Sequence, residues 1–174
     1  MTKLIQCREN LKVLIDHHPF YESINKNLLK DLSTKFPVTR EIINDSDKSG
    51  TNVKALQTVN TIESKEISLI CDWVSQIVKG KRQYDFFVKQ RWIAAYQNGD
   101  YTTAHRHIPA IYAFVYFIKC PKNSAPLIFT TSGKKIKAEE GKVVIFPSNL
   151  LHHVPKNKSE QRIILSGNLY SNFE

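Results

Sequence analysis

The sequence predicts a mainly β protein with flanking α-helices, and three observations carry that reading. Helical hydrophobic spacing is confined to the first half of the chain. Beyond Phe86 the texture changes to short runs rich in β-branched and aromatic residues, with no helical stretch between them. Asn98-Gly99, Ser132-Gly133 and Glu140-Gly141 then supply tight-turn signals among those runs. Strands this short and this closely spaced pair antiparallel, and they close as a sandwich, a barrel or a jelly roll with the helices against one side.

Taken in order, Ile24, Leu28, Leu29, Leu32 and Phe36 recur at helical spacing, which predicts an amphipathic helix over 21–36. The polar stretch from Asn44 to Thr51 reads as an exposed loop. Ile67, Ile70, Trp73, Val74, Ile77 and Val78 predict a second helix over 63–79. Strands are expected over 90–97, 102–107, 111–119, 127–131, 142–146, 151–155 and 162–170. A length of 174 residues suits one domain. The expected division is an N-terminal helical support region, 1–85, and a strand-rich core, 86–174.

Composition excludes collagenous, low-complexity and largely disordered classes, since 41% of residues are hydrophobic and only 6 are Gly and 7 Pro. Lys and Arg outnumber Asp and Glu 25 to 16, a net charge of +9, which favours an anionic partner without choosing among nucleic acid, lipid and small acids. Charged residues occupy the start of the chain, and the longest apolar run, Ile111 to Ile118, is far short of a membrane span. The expected compartment is cytoplasmic. Cys7, Cys71 and Cys120 are too scattered for a disulfide framework or a thiolate zinc site.

Four of the six histidines fall in the strand-rich half, as His105-Arg106-His107 and His152-His153. Residues two apart on a strand share a face, so His105 and His107 are expected to project together. A third imidazole from His152 or His153, which face opposite ways, would complete three ligands for a first-row metal and leave positions open. Such a pair also occurs as ordinary surface histidines. Arg162 tips the balance, because Arg162, Ile164, Ser166, Asn168 and Tyr170 share one strand face opposite Ile163, Leu165 and Leu169. A face bearing Arg, Ser and Asn suits a cavity wall that holds an anion, with the guanidinium gripping a carboxylate through two parallel hydrogen bonds.

The block Gly141-Lys-Val-Val-Ile-Phe-Pro-Ser-Asn-Leu-Leu-His152-His-Val-Pro, with Arg162 on the following strand, resembles the 2-oxoglutarate- and Fe(II)-dependent oxygenases. More narrowly, the chain is similar to small members from tailed phages and marine bacteria with a prolyl-hydroxylase-like core. Trp92 to Tyr101, His105-Arg-His107 and the segment Asn52 to Thr58 extend the likeness over roughly 52–170. The resemblance implies a double-stranded β-helix, a jelly roll of the cupin-like kind, in the 86–174 core. It selects His152 over His153 and implies Fe(II) on His105, His107 and His152. It further implies 2-oxoglutarate as co-substrate on Arg162 and Tyr96, with Ser166 and Asn168 on the same wall. The implied reaction hydroxylates an unidentified substrate using dioxygen, with succinate and CO2 as co-products. Two departures stand out: His107 occupies the place where most members carry Asp or Glu, and Phe117 the place of an expected tyrosine.

Two other functions are compatible with the residues. One is a cupin-type metal enzyme or metal-binding jelly roll that uses no 2-oxoglutarate. The other is a degenerate jelly roll that binds nucleic acid through Lys79-Gly-Lys-Arg82, Lys134-Lys135 and Lys156 to Lys158. Neither the prime substrate nor the oligomeric state can be read from the sequence.

Overall fold

The computed structural model describes residues 10–34, 52–81 and 84–171. The expected loop at 44–51, the last two residues of the first expected helix, Cys7 and Arg82 lie outside them.

Two antiparallel sheets face each other, and both expected helices cover one of them. The first helix, α1 (Tyr21–Thr34), buries Ile24, Asn25 and Leu28. Asn25 is held on both sides: its Nδ2 donates to the Ile118 carbonyl at 2.8 Å, and its Oδ1 accepts from the Tyr116 hydroxyl at 2.9 Å. A buried carboxamide satisfied in this way fixes the seat of the helix as apolar contact alone does not. The second helix, α2 (Lys65–Lys79), begins at Ser64, whose Oγ accepts from the Ile67 amide at 3.2 Å. That bond satisfies one of the orphan amides of the first turn. Its apolar stripe of Ile67, Ile70, Val74 and Val78 is buried.

The strands in chain order are β1 (Leu14–His17), β2 (Val53–Lys54), β3 (Leu56–Gln57), β4 (Phe86–Tyr96), β5 (Tyr101–His105), β6 (Tyr112–Lys119), β7 (Leu127–Phe129), β8 (Lys134–Ile136), β9 (Lys142–Pro147), β10 (His152–Val154) and β11 (Arg162–Ser171). Six form one sheet in the order β1-β9-β6-β11-β4-β3, and five the other in the order β2-β5-β10-β7-β8. Alternation along the central strands splits the interior into two layers. Phe114, Tyr116, Ile118, Val143, Ile145, Leu165 and Leu169 face the helices. Ala113, Val115, Phe117, Val144, Phe146 and Ile164 face the opposite sheet. Because β6 and β9 are covered on both faces, they read as near-continuous apolar runs, whereas β11, buried along most of its length, sets Arg162, Ser166 and Asn168 on the face opposite Ile163, Leu165 and Leu169.

Gly99, one of the expected turn residues, has φ +89°, a conformation that side chains strain to adopt. Gly167 has a different role: a Cβ there would meet the Gln90 carbonyl oxygen at 2.7 Å and the Phe114 ring at 2.5 Å. Only glycine lets β11 lie this close to β4 beside Phe114.

The strands β1, β2, β3 and β8 were not expected from the sequence. Between β2 and β3 the chain changes sheets: Val53 pairs with Thr102 in one sheet, and Gln57 with Ala94 in the other, while Ala55 is buried between them. This crossing segment ties the two sheets together at one end of the sandwich. No helix among the described residues is long and apolar enough to cross a membrane.

Candidate metal centre and anion pocket

Three histidines converge where β5 and β10 meet. His105 and His152 are register partners across those strands. The strand ends at His105, so His107 does not project by strand alternation as the sequence reading expects. It reaches the same point from the following turn, where its amide donates to the Ser148 carbonyl and its own carbonyl accepts from the Ala110 amide, each at 2.9 Å. The ligand nitrogens of the three imidazoles all lie within 4.8 Å of one another, and His107 Nε2 stands 3.2 Å from His152 Nε2. His153 points away, with Nδ1 2.9 Å from the Thr130 hydroxyl.

Backbone carbonyls orient two of the rings, and burial disfavours the charged form of all three. His105 Nδ1 lies 2.9 Å from the Thr103 carbonyl, and His152 Nδ1 lies 2.9 Å from the Leu150 carbonyl. A carbonyl accepts only from N–H, so both rings carry their proton on Nδ1 and leave the Nε2 lone pair for a metal. Burial, with the neighbouring imidazoles adding to it, lowers His107 to about 3; burial and His105 lower His152 to about 4. Burial lowers His105 as well. Imidazole nitrogens clustered in this way, with the charged form disfavoured by burial, are the donor set of a first-row metal. The Phe146 ring, 4.7 Å from that of His152, and the Trp92 ring, 5.9 Å from that of His107, wall the cluster.

Deeper between the sheets, Arg162 is fully buried. Its Nε donates to the Ala125 carbonyl at 3.0 Å, and its guanidinium lies 4.7 Å from the Tyr96 ring centre and 5.4 Å from that of Phe117. Neither Nη1 nor Nη2 has a hydrogen-bond partner among the described residues. Desolvation works against its charge and lowers its pKa. A buried guanidinium with two unfilled donors is costly, and the group that relieves it is an anion offering two acceptor oxygens. The Tyr96 hydroxyl, 2.6 Å from Thr102 Oγ1, stands in the same buried region.

Ser166 is buried on the Arg162 face of β11, in register with Trp92 and Val115. Asn168 shares that face but stands six positions from Arg162, roughly 20 Å along the strand. It lines a cavity of about 550 Å³ with His105, His107, Trp92 and Gln90. The structure therefore brings Arg162 and Tyr96 together and sets Asn168 at the metal-site mouth instead.

Sequence reasoning missed Asn157, which is 1% exposed. Its Nδ2 donates to the carbonyls of Tyr96, Gln97 and Ser159, and its Oδ1 accepts from the Ala125 amide at 3.0 Å. Asn157 thus holds the backbone of Ala125, whose carbonyl in turn holds Arg162. Nothing in the local pattern Pro155-Lys-Asn157-Lys signals this, because all the partners but Ser159 come from two distant segments, 96–97 and Ala125.

No protein-family model matches the chain, and no curated protein matches it in sequence. Solved structures do resemble it. The viral collagen prolyl hydroxylase of Paramecium bursaria Chlorella virus-1, in its 2OG complex, superposes with a TM-score of 0.71 at 16% identity, over 90% of this chain and 94% of that one. The Pseudomonas putida prolyl-4-hydroxylase gives 0.70 at 13% identity, over 92% of each chain. HygX from Streptomyces hygroscopicus, with nickel and 2-oxoglutarate bound, gives 0.68 at 8% identity, over 92% of this chain and 83% of that one. With its two facing antiparallel sheets, the chain has the double-stranded β-helix fold of the 2-oxoglutarate- and Fe(II)-dependent oxygenases.

Proposed function

We propose that the protein is a 2-oxoglutarate- and Fe(II)-dependent oxygenase. The observation that carries this reading is the buried, half-satisfied guanidinium of Arg162 inside a sandwich whose mouth gathers three neutral imidazoles. His105, His107 and His152 would hold the iron. Arg162 would take the far carboxylate of 2-oxoglutarate through Nη1 and Nη2, and Tyr96 and Ser166 would flank the co-substrate. Asn168, at the mouth, is assigned to the substrate side.

Bound Fe(II) supplies the dioxygen chemistry, in which 2-oxoglutarate loses CO2 to become succinate and one oxygen atom enters a C–H bond of the substrate. The chain's own contribution is to fix three ligands through backbone carbonyls and to orient a diacid by a two-point grip. The apolar walls of Phe117, Phe129 and Phe146 keep water from the interior. The test is succinate formation from 2-oxoglutarate in air, with and without Fe(II), in wild type and in Arg162→Met. Fe(II)-dependent succinate that vanishes in the variant supports the reading. Metal binding without 2-oxoglutarate binding would overturn it in favour of a metal enzyme of another kind.

A further inference from the structure

The cavity at the histidine cluster has an unusual chemistry for its size. Of the described residues that line it, five are carboxamides, Asn52, Gln57, Asn60, Gln90 and Asn168, and none is a carboxylate. Its one charged side chain, Arg106, is turned to the Asn149 carbonyl, to which Nε donates at 3.0 Å. The site therefore offers a cationic ligand no counter-charge, and an anionic one a single exposed guanidinium whose Nε is turned to the Asn149 carbonyl. What it offers in quantity is neutral hydrogen bonding.

Two of these carboxamides form a defined pair. Asn168 Nδ2 donates to Gln90 Oε1 at 2.8 Å, and the Tyr170 hydroxyl donates to the same oxygen at 3.3 Å. Gln90 Oε1 is thereby filled, and Gln90 itself lines the cavity. Asn168 is 8% exposed, and its Oδ1 is a buried acceptor without a partner. The pair thus sets one unpartnered acceptor, which the ligand-free fold screens from solvent, beside the Gln90 carboxamide on the cavity wall. Exchanging oxygen and nitrogen in both side chains would leave the same complement, one donor and one acceptor, with the roles of Asn168 and Gln90 reversed.

We propose that this cavity binds a neutral amide whose N–H and C=O lie on one edge, as in a lactam or a primary carboxamide. The N–H is donated to Asn168 Oδ1 and the carbonyl accepts from Gln90 Nε2, with the amide plane against the Trp92 indole. A trans peptide bond turns its N–H and C=O to opposite edges and cannot fill both groups at once. That the amide belongs to the hydroxylated substrate rests on the oxygenase reading; that the cavity binds it does not.

The experiment is ligand-observed NMR on the metal-free protein with three probes of similar size: 2-piperidinone, cyclohexanone, which lacks the donor, and N-methylacetamide, a trans amide. The lactam is expected to bind several-fold more tightly than either control. Asn168→Leu and Gln90→Met should each weaken it by roughly threefold to tenfold, the worth of one hydrogen bond. Thermal melting identifies any variant that fails to fold, and Gln90→Met, at a partly exposed position, serves if Asn168→Leu does. Equal binding of a control, absence of lactam binding to wild type, or unchanged lactam binding in a folded variant overturns the proposal. Fe(II)-dependent succinate formation is scored separately. A protein that binds the lactam but makes no succinate keeps the amide site and loses the oxygenase reading, and the reverse outcome does the opposite.

Discussion

Replacing Arg162 with methionine should abolish function while leaving the free protein as stable as before or more so. The guanidinium is fully buried, makes one hydrogen bond through Nε, and leaves two donors unfilled among the described residues. Methionine keeps most of the stem volume and removes the charge. Against folding, the change strands the Ala125 carbonyl, at a cost of roughly 1–3 kcal/mol. In favour, it removes a desolvated, unpaired ion whose penalty is several kcal/mol. The two effects are comparable, so the ligand-free variant should unfold within about 1–2 kcal/mol of wild type or above it. Phe117→Ala, which empties an equally buried site, should cost roughly 3–5 kcal/mol.

Binding should move the other way. Truncating one member of a buried, hydrogen-bonded charge pair costs roughly 2–5 kcal/mol, or about 30-fold to 4,000-fold in the Kd for 2-oxoglutarate. The assay pairs urea unfolding of the free proteins with anaerobic calorimetry of 2-oxoglutarate binding to the Fe(II)-loaded forms. Loss of more than about 3 kcal/mol in the free variant would mean that the guanidinium is already satisfied in the fold, and the reasoning would fail. A Kd within threefold of wild type would refute it equally.

Three further outcomes are expected. His107→Ala should weaken Fe(II) binding at least about tenfold in competition with a chromogenic chelator, whereas His107→Asp, which supplies the more usual carboxylate ligand, should retain it. The metal-free protein should lose stability in acid. His152 is lowered to about 4 in the fold, so the unfolded chain, with an ordinary imidazole, binds the proton first. Its contribution is therefore intact above about pH 6.5 and lost as the pH falls toward 4, by about 2 kcal/mol at pH 5. Urea midpoints at pH 7.5 and 5.0 measure this loss together with those of His107 and His105, and His152→Gln should reduce the difference by about its own share. Asn157→Ala should cost roughly 3 kcal/mol and also raise the Kd for 2-oxoglutarate, because the Ala125 backbone that seats Arg162 is released. An unchanged Kd in a folded Asn157→Ala protein would show that Arg162 holds its place without that support.

The central strands were legible because they are long: β6 and β9 are continuous apolar runs, and β11 alternates over Arg162 to Leu169 with a polar face that suits an anion. The strands that were missed are short and lie at or near sheet edges. Leu14–His17 buries almost nothing, Val53–Lys54 and Leu56–Gln57 are two residues each, and Lys134–Ile136 is largely exposed. Pairing with a neighbour makes them strands, and pairing leaves no mark on so few residues. The histidines were found for a reason that is only partly right. His105 is on a strand, but His107 arrives through a turn pinned by the Ser148 carbonyl, a contact with a residue 41 positions away in the chain. Asn157, Thr102 and the pairing of Gln90 with Asn168 escaped for the same cause: each role is made by segments that meet only in the fold.

The net charge of +9 drew attention to anions, yet the structure confines that need to one place. Along β11 the inward face passes from Arg162, buried and lacking partners for two donors, through Ile164 and Ser166, to Asn168, whose open atom is a neutral acceptor. A carboxylate placed at the Asn168 end would set its oxygens against the unpartnered acceptor Asn168 Oδ1, and a neutral amide placed at the Arg162 end would leave the ion's charge uncompensated. If both proposals hold, one strand would separate two ligands by charge. Exchanging the characters of the two positions, Arg162→Asn with Asn168→Arg, would not exchange the sites, because only the deep position has the Ala125 carbonyl and the Tyr96 and Phe117 rings that hold a desolvated guanidinium in place.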